Sequence, residues 1–77
     1  MDIIYSRQAL KFLQKQEKAI QQKIISAIEM LPLGDIKHLQ GRSEYRLRVG
    51  TYRIIFNRKG QIIYIEKIDN RGQVYRR

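Results

Sequence analysis

Residues 45–56, Tyr-Arg-Leu-Arg-Val-Gly-Thr-Tyr-Arg-Ile-Ile-Phe, decide the fold of this chain. Apolar side chains occupy every second position up to Val49 and again from Tyr52, which is the pattern of β-strands with one buried face. Gly50-Thr51 stands between the two runs, and glycine at the first position of a two-residue loop is typical of a type II′ hairpin turn. The segment therefore predicts two antiparallel strands in which Val49 faces Tyr52.

This register brings three arginines together on one face of the hairpin. Arg48 lies opposite Arg53, and Arg46 shares their face. Like charges directly across a strand pair are destabilising, so a bound anion between these arginines would explain their retention. The forked guanidinium suits a phosphate in particular. The opposite face, which we expect to pack against helices, carries Tyr45, Leu47, Val49, Tyr52, Ile54 and Phe56.

The alternative is that one of these arginines pairs with a carboxylate, for which Glu66 is the best candidate. A two-residue loop at Lys59-Gly60 would put Glu66 opposite Arg53. A three-residue loop would turn Glu66 to the other face. The sequence leaves both registers open.

The chain before the hairpin predicts one strand and two helices. Residues 2–5 form an apolar run, and Ser6 can cap a helix over residues 7–16. A second helix runs from residue 17 or 18 to 30, and residues 32–42 are expected to form a connecting loop. The apolar stripes are Leu10, Phe12 and Leu13 in the first helix and Ile20, Ile24, Ala27, Ile28 and Leu31 in the second.

The chain after the hairpin predicts a turn at residues 58–60 and a third hairpin strand from residue 61 to about 68. A final segment covers residues 69–77. The whole chain is therefore expected to be a single α+β domain, residues 1–77, in the order β-α-α-β-β-β. Its helical hairpin would pack on one face of a small, mainly antiparallel sheet.

The composition indicates a polyanionic partner. The 77 residues include 16 Lys and Arg against 7 Asp and Glu, a net charge of +9. Residues 1–41 carry six basic and four acidic side chains, whereas residues 42–77 carry ten and three, so the excess lies in the second half. Nucleic acid or an acidic protein would match this asymmetry, and a merely solubilising surface is the alternative.

Several classes of protein are excluded or disfavoured. The chain has no cysteine, which excludes a thiol nucleophile and Cys-ligated zinc. No signal peptide is visible, and no apolar stretch approaches the ~20 residues that cross a bilayer. The single histidine, His38, has no evident partner for base catalysis, and the acidic residues are too scattered for a paired-carboxylate hydrolase.

Two segments resemble the RelE/ParE superfamily of type II toxins. Residues 45–56 are similar to its central hairpin, commonly Y-R-[LI]-R-x-G-x-Y-R-[IV]-[IV]-[YF]. Residues 70–75, Asn-Arg-Gly-Gln-Val-Tyr, are similar to its C-terminal R-x-x-[VAI]-Y element. The order of a strand, a helical hairpin and three strands also agrees, so the likeness covers nearly the whole chain.

The resemblance to RelE implies a metal-free, ribosome-dependent mRNA endoribonuclease that works in the ribosomal A site without a cofactor. The ribose 2′-OH attacks the adjacent phosphate and leaves a cyclic phosphate and a 5′-OH. The implied partners are an acidic antitoxin, the ribosome and mRNA, with operator DNA bound only through the antitoxin. A cytoplasmic location, with no membrane contact, is expected. The implied catalytic residues are Arg53, Arg71 and Tyr75, and the implied RNA- and phosphate-binding residues are Arg46, Arg48, Arg76 and Arg77.

The chain departs from the RelE pattern at the hairpin, where well-studied members often have lysine in place of Arg46 and Arg48. Arginine stays protonated in proteins and is a poor general base. The alternatives are a ParE-like, non-enzymatic gyrase inhibitor and a toxin fold that only binds its antitoxin or nucleic acid. Translation arrest would indicate the RelE-like function and DNA damage the ParE-like one, whereas absence of toxicity on expression would indicate a fold that only binds.

Overall fold

A computed structural model describes residues 2–70 as a five-stranded sheet and two helices. The elements are β1 (Asp2–Tyr5), α1 (Arg7–Gln14), α2 (Lys18–Glu29), β2 (Asp35–His38), β3 (Tyr45–Val49), β4 (Tyr52–Lys59) and β5 (Ile62–Asn70). The strands follow the spatial order β1-β5-β4-β3-β2, with β1 parallel to β5 and every other pair antiparallel. The α+β class is as predicted, with one strand more than expected.

Both helices lie on one face of the sheet and bury their apolar stripes there. The prediction for α2 is confirmed, since Ile24 and Ile28 are fully buried. In α1 the prediction is wrong for Leu10, which is 47 % exposed, and the helix ends two residues before the predicted residue 16. The core comprises Ala9, Leu13, Ile24, Ile28, Leu31, Leu47, Ile54, Phe56, Ile63, Ile65 and Ile68.

The central hairpin has the predicted register. Val49 pairs with Tyr52, and Arg48 pairs with Arg53. Gly50 has a φ of +59°, whereas no other residue type in the described chain has a positive φ, so Thr51 has a negative one. A positive φ at only the first loop position is the geometry of a type II′ turn.

The connection between α2 and the hairpin contains a strand that the sequence analysis missed. Residues 32–42 were expected to be a loop, but Asp35–His38 forms β2 at the edge of the sheet, antiparallel to β3. Only Ile36 in this strand is partly buried, so the residues of β2 show no clear alternation of apolar and polar side chains. Pairing with β3 fixes the strand instead.

The last hairpin differs from both registers considered for it. Lys59 pairs with Ile62, so the two-residue loop is Gly60-Gln61. A β-bulge then shifts the register opposite Ile55 and Phe56, with Glu66 as the additional residue on β5. The bulge lets Ile65 and Ile68 both enter the core while Glu66 and Lys67 lie outside it.

Side chains of α1 hold β5 beyond the end of β1. Ser6 accepts a hydrogen bond from the Ala9 backbone N–H at 3.1 Å, as predicted for a helix cap, and its hydroxyl donates to the Glu66 carbonyl at 2.8 Å. The Gln8 side chain bonds both the N–H and the carbonyl of Ile68, each at 2.9 Å. The Gln8 amide thus makes the hydrogen bonds that a neighbouring strand would otherwise make with β5.

Candidate functional site

The sheet face opposite the helices carries a row of four charged residues, one from each of four adjacent strands. Asp35 of β2 pairs with Arg48 of β3, Arg48 pairs with Arg53 of β4, and Arg53 pairs with Asp69 of β5. We call this set the acid–base row. Its order, acid, base, base and acid, gives each arginine a carboxylate on the side away from the other arginine.

Ion pairs connect the acid–base row. The Arg48 Nε lies 3.1 Å from the Asp35 carboxylate, and a terminal nitrogen of the Arg53 guanidinium lies 3.0 Å from the Asp69 carboxylate. The Arg48 side chain is 48 % exposed and that of Arg53 is 30 % exposed. The more exposed Arg48 is therefore open to an approaching ligand, whereas Arg53 is less exposed and is held by Asp69.

These pairs correct the expectation that Arg48 and Arg53 face each other without compensation. The alternative, pairing with a carboxylate, holds for both, but the partner of Arg53 is Asp69 and not Glu66. The bulge is the reason, because it moves Asp69 opposite Arg53 and leaves Glu66 unpaired with β4. Anion binding by these arginines remains a prediction.

The next row on the same face is cationic. Lys37 of β2 pairs with Arg46 of β3, Arg46 pairs with Ile55 of β4, and Ile55 pairs with Lys67 of β5. This cationic row contains no carboxylate. Its position beside the acid–base row makes the centre of the open face positively charged.

A cleft of about 350 Å³ opens where the two rows meet. We call it the arginine cleft, because Arg42 and Arg53 both contribute to its wall. Ile55 gives it an apolar patch, and Lys67 adds a further cation. Such a combination of fixed positive charge and apolar surface suits a nucleic-acid backbone or another polyanion. The lining residues are Leu39, Arg42, Arg53, Ile55, Glu66 and Lys67.

Arg46 is the least accessible of the three predicted hairpin arginines. Its side chain is only 14 % exposed, and its guanidinium lies 3.7 Å from Asp35. Its Nε is buried with no hydrogen-bond partner among the described residues, as are the Arg53 Nε and the Asp69 Oδ1. Buried polar atoms without partners are uncommon in folded proteins, and these three lie on neighbouring rows of one face.

Three cations of this face were missed by the sequence analysis: Lys37, Arg42 and Lys67. Lys37 was missed together with β2. For Lys67 a signal existed, because the apolar positions Ile63, Ile65 and Ile68 break the period of two, and such a break is typical of a bulge.

The remaining predicted site residues, Arg71, Tyr75, Arg76 and Arg77, lie outside the described residues. His38 is exposed and packs its ring against Tyr45, with the ring centroids 4.9 Å apart. Within residues 2–70, no group of His, Cys, Asp or Glu is arranged to hold a metal ion. Neither of the two helices described is long and apolar enough to span a membrane.

A helical hairpin packed on a mixed five-stranded sheet is also the fold of solved chains from RelB–RelE antitoxin–toxin complexes. The chain belongs to the RelE/ParE superfamily, since the family model "ParE toxin of type II toxin-antitoxin system, parDE" matches residues 3–75. The resemblance of the two segments to this superfamily is thereby confirmed.

Solved toxin structures share the fold along nearly their whole length. A chain of the RelB–RelE antitoxin–toxin complex from Methanococcus jannaschii is 28 % identical, with a TM-score of 0.73 and coverage of 94 % of both chains. The RelE–RelB complex from Pyrococcus horikoshii gives 28 % identity, a TM-score of 0.76 and coverage of 94 % of this chain and 96 % of that one.

A more distant match is the YoeB–YefM complex from Staphylococcus aureus. It is 21 % identical, with a TM-score of 0.68 and coverage of 90 % of this chain and 94 % of that one, and it supports the fold alone. No curated protein sequence gives a significant match to this chain.

Proposed function

We propose that this toxin is a ribosome-dependent mRNA endoribonuclease. The observation that carries the proposal is the setting of Arg53, which is anchored by Asp69 at 3.0 Å and lines the arginine cleft next to an exposed Arg48. An anchored guanidinium beside a more exposed one suits a phosphate that must be held and then stabilised as its charge increases. The identity of 28 % to RelE chains adds support.

The proposed reaction is in-line attack of a ribose 2′-OH on the adjacent phosphate. The new P–O2′ bond closes a 2′,3′-cyclic phosphate as the P–O5′ bond breaks, and the leaving 5′ oxygen takes a proton from water to become a 5′-OH. Arg53 stabilises the additional negative charge of the phosphorane, because its position is set before the substrate arrives. Arg48 holds the RNA backbone, and Arg46 adds positive charge from its less exposed position.

In this proposal residues 71–77 supply the proton acceptor and further phosphate contacts. Arg71 assists Arg53, Tyr75 accepts the 2′-OH proton or positions that hydroxyl, and Arg76 and Arg77 bind phosphate. Arginines are poor general bases, so the chemistry depends on orientation of the 2′-OH by the ribosome. Such positioning can supply a large part of a rate enhancement, on the order of 7–11 kcal/mol. No cofactor takes part, and the site of action is the cytoplasm.

The proposed partner in the resting cell is an acidic antitoxin. The matched RelE chains come from complexes with the antitoxin RelB. A protein of net charge +9 attracts an acidic segment over long range, and such association is sensitive to salt. Any contact with operator DNA would be made through the antitoxin.

Cleavage of mRNA on programmed ribosomes tests this function. We expect the parent toxin to cleave, and Asp69→Asn to cleave more slowly than the parent, because Arg53 keeps its charge but loses its anchor. The double variant Arg53→Gln/Asp69→Asn should lose ~10²–10³-fold in the single-turnover rate, the usual effect of removing one group that stabilises a developing anion. Full activity of the double variant would remove Arg53 from the mechanism.

The family description favours one second candidate, a ParE-like toxin that inhibits gyrase without cleaving RNA. A supercoiling assay with purified gyrase separates the two functions. Inhibition of supercoiling, together with intact mRNA on ribosomes, would favour the ParE-like function.

A further inference from the structure

The open face of the sheet has a second cleft of about 350 Å³ beside the arginine cleft, and Glu66 lines both. The second cleft, which we call the tyrosine cleft, also contains Asn57, Lys59 and Tyr64. Ile4, 47 % exposed, extends its apolar surface. Unlike the arginine cleft, it is lined by one cation and one aromatic ring, which is the chemistry of a nucleobase site.

Glu66 is notable on this face because its carboxylate has no partner, in the part of the chain that the structure describes, that would explain its position. Its carboxylate makes no ion pair or hydrogen bond within residues 2–70, although Asp35, Glu44 and Asp69 each pair with an arginine. The bulge holds Glu66 on the open face, and the Ser6 hydroxyl fixes its backbone by a bond of 2.8 Å to its carbonyl. An ionised carboxylate only accepts hydrogen bonds, so its ligand must supply donors.

The polar groups across the tyrosine cleft from Glu66 are hydrogen-bond donors. The Asn57 side-chain oxygen accepts from the Arg58 backbone N–H at 2.8 Å, which leaves the Asn57 amide nitrogen to donate. Lys59 can only donate. The Ser6 hydroxyl is already engaged, because it accepts from Ala9 and donates to Glu66. The cleft therefore combines a carboxylate acceptor, two donor groups and an aromatic ring whose hydroxyl can donate or accept.

Guanine matches this combination better than the other bases. It alone presents two adjacent donors, N1–H and the N2 amino group, which a single carboxylate can accept together. It also presents the acceptors O6 and N7, which suit Asn57 and Lys59. Adenine and cytosine place a ring acceptor where Glu66 would need a donor, and uracil offers one donor.

We propose that the tyrosine cleft binds a guanine base of RNA, read by Glu66 and stacked on Tyr64. The inference rests on the proposed function, since it takes the bound polyanion to be RNA. The two clefts share Glu66 as a common wall, and a nucleotide joins its phosphate and base through one sugar. A phosphate at Arg53 and a guanine at Tyr64 can therefore belong to the same short stretch of RNA.

Direct binding tests the proposal without the ribosome. Four fluorescently labelled RNA pentamers would carry uridine at the outer positions and G, A, C or U at the centre, with 2′-O-methyl groups to prevent cleavage. Fluorescence anisotropy should give about tenfold tighter binding for the pentamer with central G, the discrimination usual for one well-matched bidentate base contact. Equal affinities for G and A would overturn the proposal.

Variants separate base reading from charge. Glu66→Gln should abolish the preference for G and leave binding of the A pentamer within about threefold. The matched control is Glu17→Gln, which removes an equal charge from the exposed start of α2 and should keep the preference. Tyr64→Ala should weaken binding of the G and A pentamers by about tenfold, through loss of stacking. A preference that survives Glu66→Gln would contradict the assignment.

Mapping the cleavage sites on programmed ribosomes then distinguishes this proposal from the proposed function. Cleavage by the parent toxin without any bias toward guanine near the cut would overturn the guanine site alone. A guanine preference in the pentamers without any cleavage would overturn the proposed function alone.

Discussion

The Arg53–Asp69 ion pair should contribute measurably to folding stability, unlike an exposed pair on the same surface. Its nitrogen–oxygen distance is 3.0 Å, and the two side chains are only 30 % and 20 % exposed. Exposed pairs contribute about 0–1 kcal/mol, and hydrogen bonds to charged groups about 1.5–3 kcal/mol. With most of both side chains covered, we expect a coupling free energy of about 1.5 kcal/mol.

The neighbouring Arg48 makes the two single substitutions unequal. Arg53→Gln loses the pair but relieves repulsion from Arg48, worth about 0.5 kcal/mol, so its net cost should be about 1 kcal/mol. Asp69→Asn should cost about 1.5 kcal/mol, because it loses the pair and relieves nothing. The double variant should cost about 1 kcal/mol, which makes it no less stable than Asp69→Asn.

Urea unfolding of the four proteins measures these free energies directly, and thermal melting checks them. Each kcal/mol should shift the Tm of a domain of this size by roughly 4–8 °C. The control cycle is Arg42→Gln with Glu44→Gln, a pair at 3.2 Å whose arginine is 61 % exposed. We expect its coupling to stay below about 0.5 kcal/mol. Additive effects of Arg53 and Asp69 would refute the ion-pair reasoning.

Three further predictions address α1, the edge strand and alkaline stability. Gln8→Ala should destabilise the fold by about 1–3 kcal/mol in urea unfolding, because it removes the hydrogen bonds to both backbone groups of Ile68. The control Gln14→Ala, on the exposed side of α1, should be nearly neutral. Asp35→Asn should cost under about 1 kcal/mol and tighten RNA binding in anisotropy titrations, because it frees Arg48. Burial, and secondarily the charge of Glu29, raises the pKa of Tyr5 above its ordinary 10.0. The stability due to neutral Tyr5 is therefore present below pH ~10 and lost as the pH rises further, a loss that Tyr5→Phe should reduce in alkaline unfolding.

Structure that depends on interactions between residues close along the chain was predictable from the sequence. The alternation around Gly50 predicted the hairpin, its register and the face shared by Arg46, Arg48 and Arg53. The Ser6 cap was predictable for the same reason, because its interaction spans three residues.

Structure that depends on pairing between distant segments was not predictable from the sequence. β2 has almost no buried side of its own and exists because β3 offers it hydrogen bonds. The bulge opposite Ile55 depends on the fit of two strands, and it decides that Asp69 rather than Glu66 reaches Arg53. Both errors changed the predicted partners of the arginines but not the face on which they lie.

The most direct test of the central claim is end-group analysis of mRNA incubated with the purified toxin, with and without programmed ribosomes. We expect cleavage within the A-site codon only when ribosomes are present, with 2′,3′-cyclic phosphate and 5′-OH ends. Intact mRNA on programmed ribosomes would contradict the proposed function, and equal cleavage of free mRNA would contradict its dependence on the ribosome.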